Sequence, residues 1–103
     1  MKALFVCSSN LGRSPTAETL FKSQKGWETK SAGVLEESRA RITKELIAWA
    51  DKIYVMETWH KEAIVEKWPE AKDKIIMLGI PDIYAKDDPE LIKALKEKMR
   101  QYL

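Results

Sequence analysis

The sequence predicts a three-layer α/β sandwich, a four-stranded parallel sheet with helices on both faces, and three observations carry that expectation. Four short, near-continuous apolar runs recur along the chain, as expected of strands buried on both sides. Segments of helical periodicity separate them, as connections between parallel strands require. No low-complexity linker interrupts the alternation, so 103 residues with 45% hydrophobic content read as one domain, 1–103, around a single core.

Lys2 to Cys7 (KALFVC) is the first strand. Behind a loop of small residues, Ser14 and Pro15 read as an N-cap and a proline in the first helical turn. Thr16 to Lys25 continues that helix, with Ala17, Leu20 and Phe21 at helical spacing and Gly26 closing it. Trp27 to Ala32 is a short second strand. Thr43 caps a helix reaching Asp51, whose Leu46, Ile47, Trp49 and Ala50 form the apolar stripe. Lys52 to Met56 is the third strand, and Glu57 to Trp68 a third helix stopped by Pro69. Lys74 to Leu78 is the fourth strand. Asp88 with Pro89 opens an amphipathic last helix carrying Leu91, Ile92, Leu95 and Met99. These elements fit the flavodoxin-like strand order 2-1-3-4, in which ligands sit beyond the carboxyl ends of the strands, at the switch point where Cys7 lies.

Composition narrows the function. Charged residues make up 33% of the chain and nearly cancel, leaving a net charge of +2, too little to argue for nucleic acid. The lone cysteine cannot form an intrachain disulfide, which points to a reducing, cytoplasmic setting. No apolar run is long enough for a membrane span or a signal-peptide core.

The chemistry concentrates in VCSSNLGRSPTAE, residues 6–18. Cys7 ends an apolar strand, Arg13 follows six residues later, and helix-start residues come directly behind. In the loop between them Ser8, Ser9, Asn10 and Gly12 can take the tight or left-handed turns that such a loop needs. Loop amides, helix N-terminus and guanidinium then surround one anion-sized space above the sulfur, and the same field favours the thiolate, the nucleophilic form. A buried structural cysteine is the competing reading, but it leaves Arg13 and the loop unexplained. Phosphate chemistry is the expectation.

This run resembles the phosphate-binding loop of the low-molecular-weight protein tyrosine phosphatases: a cysteine, five residues, then Arg-Ser-Pro, with an asparagine at the position of Asn10. The likeness continues through SAG (31–33), ARITKEL (40–46), ADKIYVME (50–57) and IPDIY (80–84), and is strongest to a short subgroup of predicted phosphatases in that superfamily. The resemblance implies a phosphotyrosine protein phosphatase I-like fold and a phosphomonoester hydrolase acting through a phosphocysteine intermediate without metal or organic cofactor. It implies Cys7 as nucleophile, Ser8 to Ser14 as the phosphate-binding loop with Arg13 as the fork on the phosphoryl oxygens, and Asp82 as general acid. Tyr84 would flank the substrate, Ser14 would hydrogen-bond the sulfur, and Ser31 would brace Asn10. The implied partner is a phosphorylated protein or a small aryl phosphate, with neither nucleic acid nor a membrane.

The chain departs from the family in several places. The proline expected after the acid is Ile83, and a separate Asp-Pro pair stands at Asp88 and Pro89, so Asp88 competes with Asp82, although it also suits a helix N-cap. The cysteine common before the arginine is Gly12. Between SAG and ARITKEL only VLEESR (34–39) remains of a longer segment that walls the aryl pocket, a length typical of a simple connection.

The loop-bracing histidine of the family reads here as Ser38 or Arg39, and His60, beside Lys61 and Glu62, is expected on a solvated helix face. The four tryptophans read as packing rather than a substrate cage. Two other classes share the loop chemistry: a IIB-like phosphoryl carrier, and a phosphate- or phosphopeptide-binding module without turnover. A dedicated acid argues against the carrier. A thioredoxin-coupled arsenate reductase would need further cysteines.

Overall fold

The computed structural model describes residues 1–103. Strands β1 (Lys2–Cys7), β2 (Glu28–Gly33), β3 (Lys52–Val55) and β4 (Ile75–Met77) form one parallel sheet in the order β2-β1-β3-β4. Helices α1 (Arg13–Phe21), α2 (Lys44–Trp49), α3 (Thr58–Lys67) and α4 (Pro89–Met99) complete the sandwich. The expected fold and strand order are those observed.

Alternation along the strands assigns the two layers. Ala3, Phe5 and Cys7 of β1 point with Tyr54 and Met56 into a core closed by Ala17 and Phe21 of α1 and by Leu91, Leu95 and Met99 of α4. Leu4 and Val6 point the other way, with Ile53 and Val55, toward Ile47 of α2 and Ile64 of α3. β1 is buried from Ala3 to Cys7, so the nucleophile candidate sits at the end of the most enclosed strand. No helix is long and apolar enough to cross a membrane.

Local chemistry explains the helix boundaries, with two corrections. Thr43 accepts the Leu46 amide at 3.2 Å and Asp88 accepts the Glu90 amide at 2.8 Å, each an N-cap. Ser14, however, is not a cap: α1 begins at Arg13 with Gly12 at the cap position, and Ser14 lies inside the helix facing Cys7. Pro69 ends α3 but also opens a 3-10 segment, Pro69–Lys74, absent from the periodicity reading. His60 is the second correction. It is fully buried, because on α3 it lies one turn before Ile64 and shares its inward face; its charged neighbours in sequence point elsewhere.

Candidate active site

The loop after β1 turns its amides inward because the chain behind it captures its carbonyls. Val34 N–H donates to Cys7 O at 3.1 Å, Leu35 N–H to Ser8 O at 3.0 Å, Arg39 N–H to Ser9 O at 3.0 Å and Arg39 Nε to Asn10 O at 3.1 Å. Ser38 Oγ lies 3.1 Å from Ser8 O as well. The amides of Ser8 to Gly12 donate to no acceptor within the protein, a run of free donors of the kind that binds anions. Asn10 makes the turn at φ 58°, where an asparagine is tolerated better than most side chains.

Segment 34–39 is therefore more than a connection. It contributes nothing to the pocket lining, but it braces the loop from behind, and Ser38 and Arg39 supply contacts where the family's histidine was expected.

A chain of side chains sets the sulfur. Ser14 N–H reaches Cys7 Sγ at 3.4 Å and Ser14 Oγ stands 2.9 Å from it. Asn10 Nδ2 donates to both Ser14 Oγ and Ser31 Oγ at 2.9 Å, and Ser31 donates in turn to Glu18 Oε1. Both amide hydrogens of Asn10 are consumed, which leaves the single hydrogen of Ser14 to choose between the sulfur and Ala32 O at 3.2 Å.

Arg13 is equally constrained. Its Nη1 donates to Glu57 Oε2 and to Ile80 O, both at 2.7 Å, so that nitrogen is fully engaged. Nη2 donates one hydrogen to Ser8 Oγ at 3.1 Å. The Nε–H and the second Nη2 hydrogen remain, and these two form the forked edge that matches two phosphoryl oxygens. The ion pair holds the Glu57 carboxyl below its ordinary range, the Arg13 hydrogen bond being the main cause. Glu57 also opens α3 in a reciprocal capping arrangement with His60. Sequence reasoning missed Glu57; the available signal was an acid directly after an apolar strand, at the sheet edge where Cys7 ends β1.

Cys7, Ser8, Ser9, Leu11, Gly12, Arg13, Asp82 and Tyr84 line one pocket of about 340 Å³ with Ala85 and Lys86. Asp82 is exposed, with Oδ1 3.8 Å from Arg13 Nε. Asp88 lies outside the pocket and caps α4. The loop that carries Asp82 and Tyr84 passes over Gly12, and the Asp87 amide anchors it to α1 by donating to Thr16 Oγ1 at 3.0 Å. Asn10, Ser14 and Ser31 stand behind the loop rather than in the pocket.

Comparison with known proteins agrees with this geometry. The family profile described as low molecular weight phosphotyrosine protein phosphatase matches residues 2–52. A protein-arginine-phosphatase of Geobacillus stearothermophilus is 38% identical over 101 residues, spanning 75% of this chain and 68% of that protein. The solved structure of an arginine phosphatase from the same organism superposes with a TM-score of 0.70 at 32% identity, covering 98% of this chain and 94% of its own. A low molecular weight protein tyrosine phosphatase from T. tengcongensis superposes with a TM-score of 0.76 at 27% identity over 100% of this chain and 99% of its own. The profile match and the identity to these relatives, together with a strand-end cysteine, a loop of free amides and a forked arginine in this sandwich, place the chain in the low molecular weight phosphotyrosine protein phosphatase family, as a cysteine-dependent phosphatase.

Proposed function

We propose that residues 1–103 form one phosphatase domain that hydrolyses phosphotyrosine in proteins and small aryl phosphates through a phosphocysteine. The run of free loop amides beside Cys7 and the open Nε/Nη2 edge of Arg13 carries this reading. In the first step Cys7 Sγ attacks phosphorus in line, the S–P bond forms, and the P–O bond to the leaving group breaks. Asp82 gives its proton to the departing oxygen. Arg13 and the amides bind the equatorial oxygens as their charge develops. In the second step a water attacks phosphorus, its proton passes to the Asp82 carboxylate, and the S–P bond breaks to release phosphate and the thiolate. Ser14, next to the sulfur, stabilises that leaving thiolate.

The pocket mouth supports this substrate class. Leu11 and Tyr84 offer apolar flanks, and Lys86 is the rim cation. A neutral aromatic ring suits these walls. The relatives named as arginine phosphatases favour phosphoarginine instead, but its cationic guanidinium would meet Lys86 and find a single carboxylate, Asp82, already close to Arg13. A lone thiol without a disulfide partner fits a reducing cytoplasm.

The test compares kcat/KM for matched phosphotyrosine and phosphoarginine peptides, with Cys7→Ser as control. Preference for phosphotyrosine by roughly tenfold or more is expected, with both activities lost in Cys7→Ser. The reverse preference would reassign the substrate, and turnover surviving in Cys7→Ser would end the mechanism.

A further inference from the structure

His60 is fully buried and no step above uses it. Its Nδ1 accepts the Glu57 amide at 3.0 Å, and its Nε2 lies 3.0 Å from Ser8 Oγ. An amide N–H only donates, so Nδ1 is the bare nitrogen and the proton of the neutral ring resides on Nε2. His60 thus donates to Ser8. Arg13 Nη2 donates to the same oxygen at 3.1 Å. A hydroxyl has two lone pairs and one hydrogen. Both lone pairs of Ser8 Oγ are occupied, and its hydrogen has no acceptor within the protein, although Ser8 lines the pocket.

We propose that His60 is a positioning residue for phosphoryl binding: it clamps Ser8 Oγ so that the serine hydroxyl points its one hydrogen at a phosphoryl oxygen, beside the loop amides and Arg13. The proposal rests on the pocket being the phosphoryl site. The ring's surroundings keep it in the required form. Charged groups facing it are Arg13 from α1, Glu57 at the start of its own helix and Asp82 from the loop after β4. Burial first, and then Arg13, push its pKa down to about 4 against the pull of Glu57 and Asp82. A proton on Nδ1 would also confront the Glu57 amide and open the cap of α3, so the neutral Nε2–H ring persists across the working pH range.

The two ring nitrogens can be separated by substitution. His60→Asn retains an acceptor near the Nδ1 position for the Glu57 amide but has nothing to reach Ser8. His60→Gln places an amide N–H near the Nε2 position. These variants, Ser8→Ala and the Ser8→Ala/His60→Asn pair are measured for affinity toward inorganic phosphate and for kcat/KM on an aryl phosphate, with thermal melts to verify folding. Ser8→Ala and His60→Asn should each lose about tenfold in both quantities, as for one hydrogen bond to a charged group. The double variant should lose no more than either alone, and His60→Gln should recover most of the loss. Multiplicative losses in the double variant, or unchanged phosphate affinity in Ser8→Ala, would overturn the proposal.

Imidazole nitrogen NMR on the wild type is independent of whether any variant folds: a ring protonated on Nδ1 would also overturn it. Cys7-dependent turnover is judged separately. If turnover is present and coupling absent, only the role of His60 fails; if turnover is absent, phosphate affinity still reads the coupling.

Discussion

Asp82 and Asp88 lie on the same loop and hold opposite kinds of position. Asp82 is an exposed carboxylate at the pocket mouth, near Arg13 Nε, whereas the Asp88 side chain is spent on the Glu90 amide. Asp82→Asn should slow esters with poor leaving groups by about 10² to 10⁴, the usual worth of general acid catalysis, and affect activated aryl esters far less. Asp88→Ala should instead cost about 1 kcal/mol of stability, the typical value of a lost cap, with the leaving-group dependence unchanged. Rates across a series of substituted aryl phosphates distinguish the two, and a steepened dependence in Asp88→Ala alone would exchange their roles. At this scale the sequence was legible wherever chemistry is local. Cys7, Arg13 and the loop between them are contiguous, so spacing and residue type were enough. The burial of His60 was legible one turn from Ile64, but its contact with Ser8, 52 residues away, is one that no pattern on a single helix reports.

The loop after β1 is held from behind by segment 34–39, and Gly33 is where the two meet. A Cβ at this position would stand 2.2 Å from Ser38 Oγ and 2.8 Å from the Ser8 carbonyl oxygen. The serine hydroxyl can rotate, but Ser38 Cβ, also 2.8 Å away, and the Ser8 carbonyl cannot yield without the backbone moving, and Leu35 N–H holds that carbonyl. Gly33→Ala should therefore destabilise the protein by about 1 to 3 kcal/mol, as overpacking does, and weaken phosphate binding by tilting the Ser8 peptide. Adding Ser38→Ala should restore only part of either loss. Thermal denaturation and phosphate titration of the single and double variants check this, and full rescue by Ser38→Ala would show that the Ser38 Oγ contact alone carries the cost. The sequence marked SAG as a motif by resemblance, but the reason for its glycine lies in a packing contact between two loops.

For the whole molecule, buried titratable groups set the pH range of stability. His60 titrates at about 4 when folded and near its ordinary 6.5 when unfolded. Its folded pKa is depressed, so its contribution is fully present above about pH 6.5 and is lost as pH falls toward 4, where the unfolded chain takes up a proton that the native state refuses. Stability of the wild type should fall through that window by up to about 3 kcal/mol more than that of His60→Asn, measured by urea denaturation at successive pH values; parallel curves would contradict the burial argument. Tyr54 acts at the other end. Burial raises its pKa from 10 to about 12, so its contribution is present below pH 10 and fades as pH rises toward 12.

The amino-acid sequence by itself determined the sandwich and the place of the phosphate chemistry, while the strand order followed from the likeness to a known fold. Apolar periodicity, caps and the Cys7 to Arg13 spacing are all properties of neighbouring residues, and they agree with one another. Tertiary structure alone decided what surrounds that chemistry. It brought Glu57 onto Arg13, seated His60 against Ser8, placed Asp82 rather than Asp88 at the pocket, and turned the short 34–39 segment into the brace that captures the loop carbonyls. Each of these joins side chains or backbone groups from separate elements at the carboxyl edge of the sheet. Their proximity is set by how the strands align and how the helices pack, and hydrogen-bond satisfaction in a buried site then leaves each group few alternative partners.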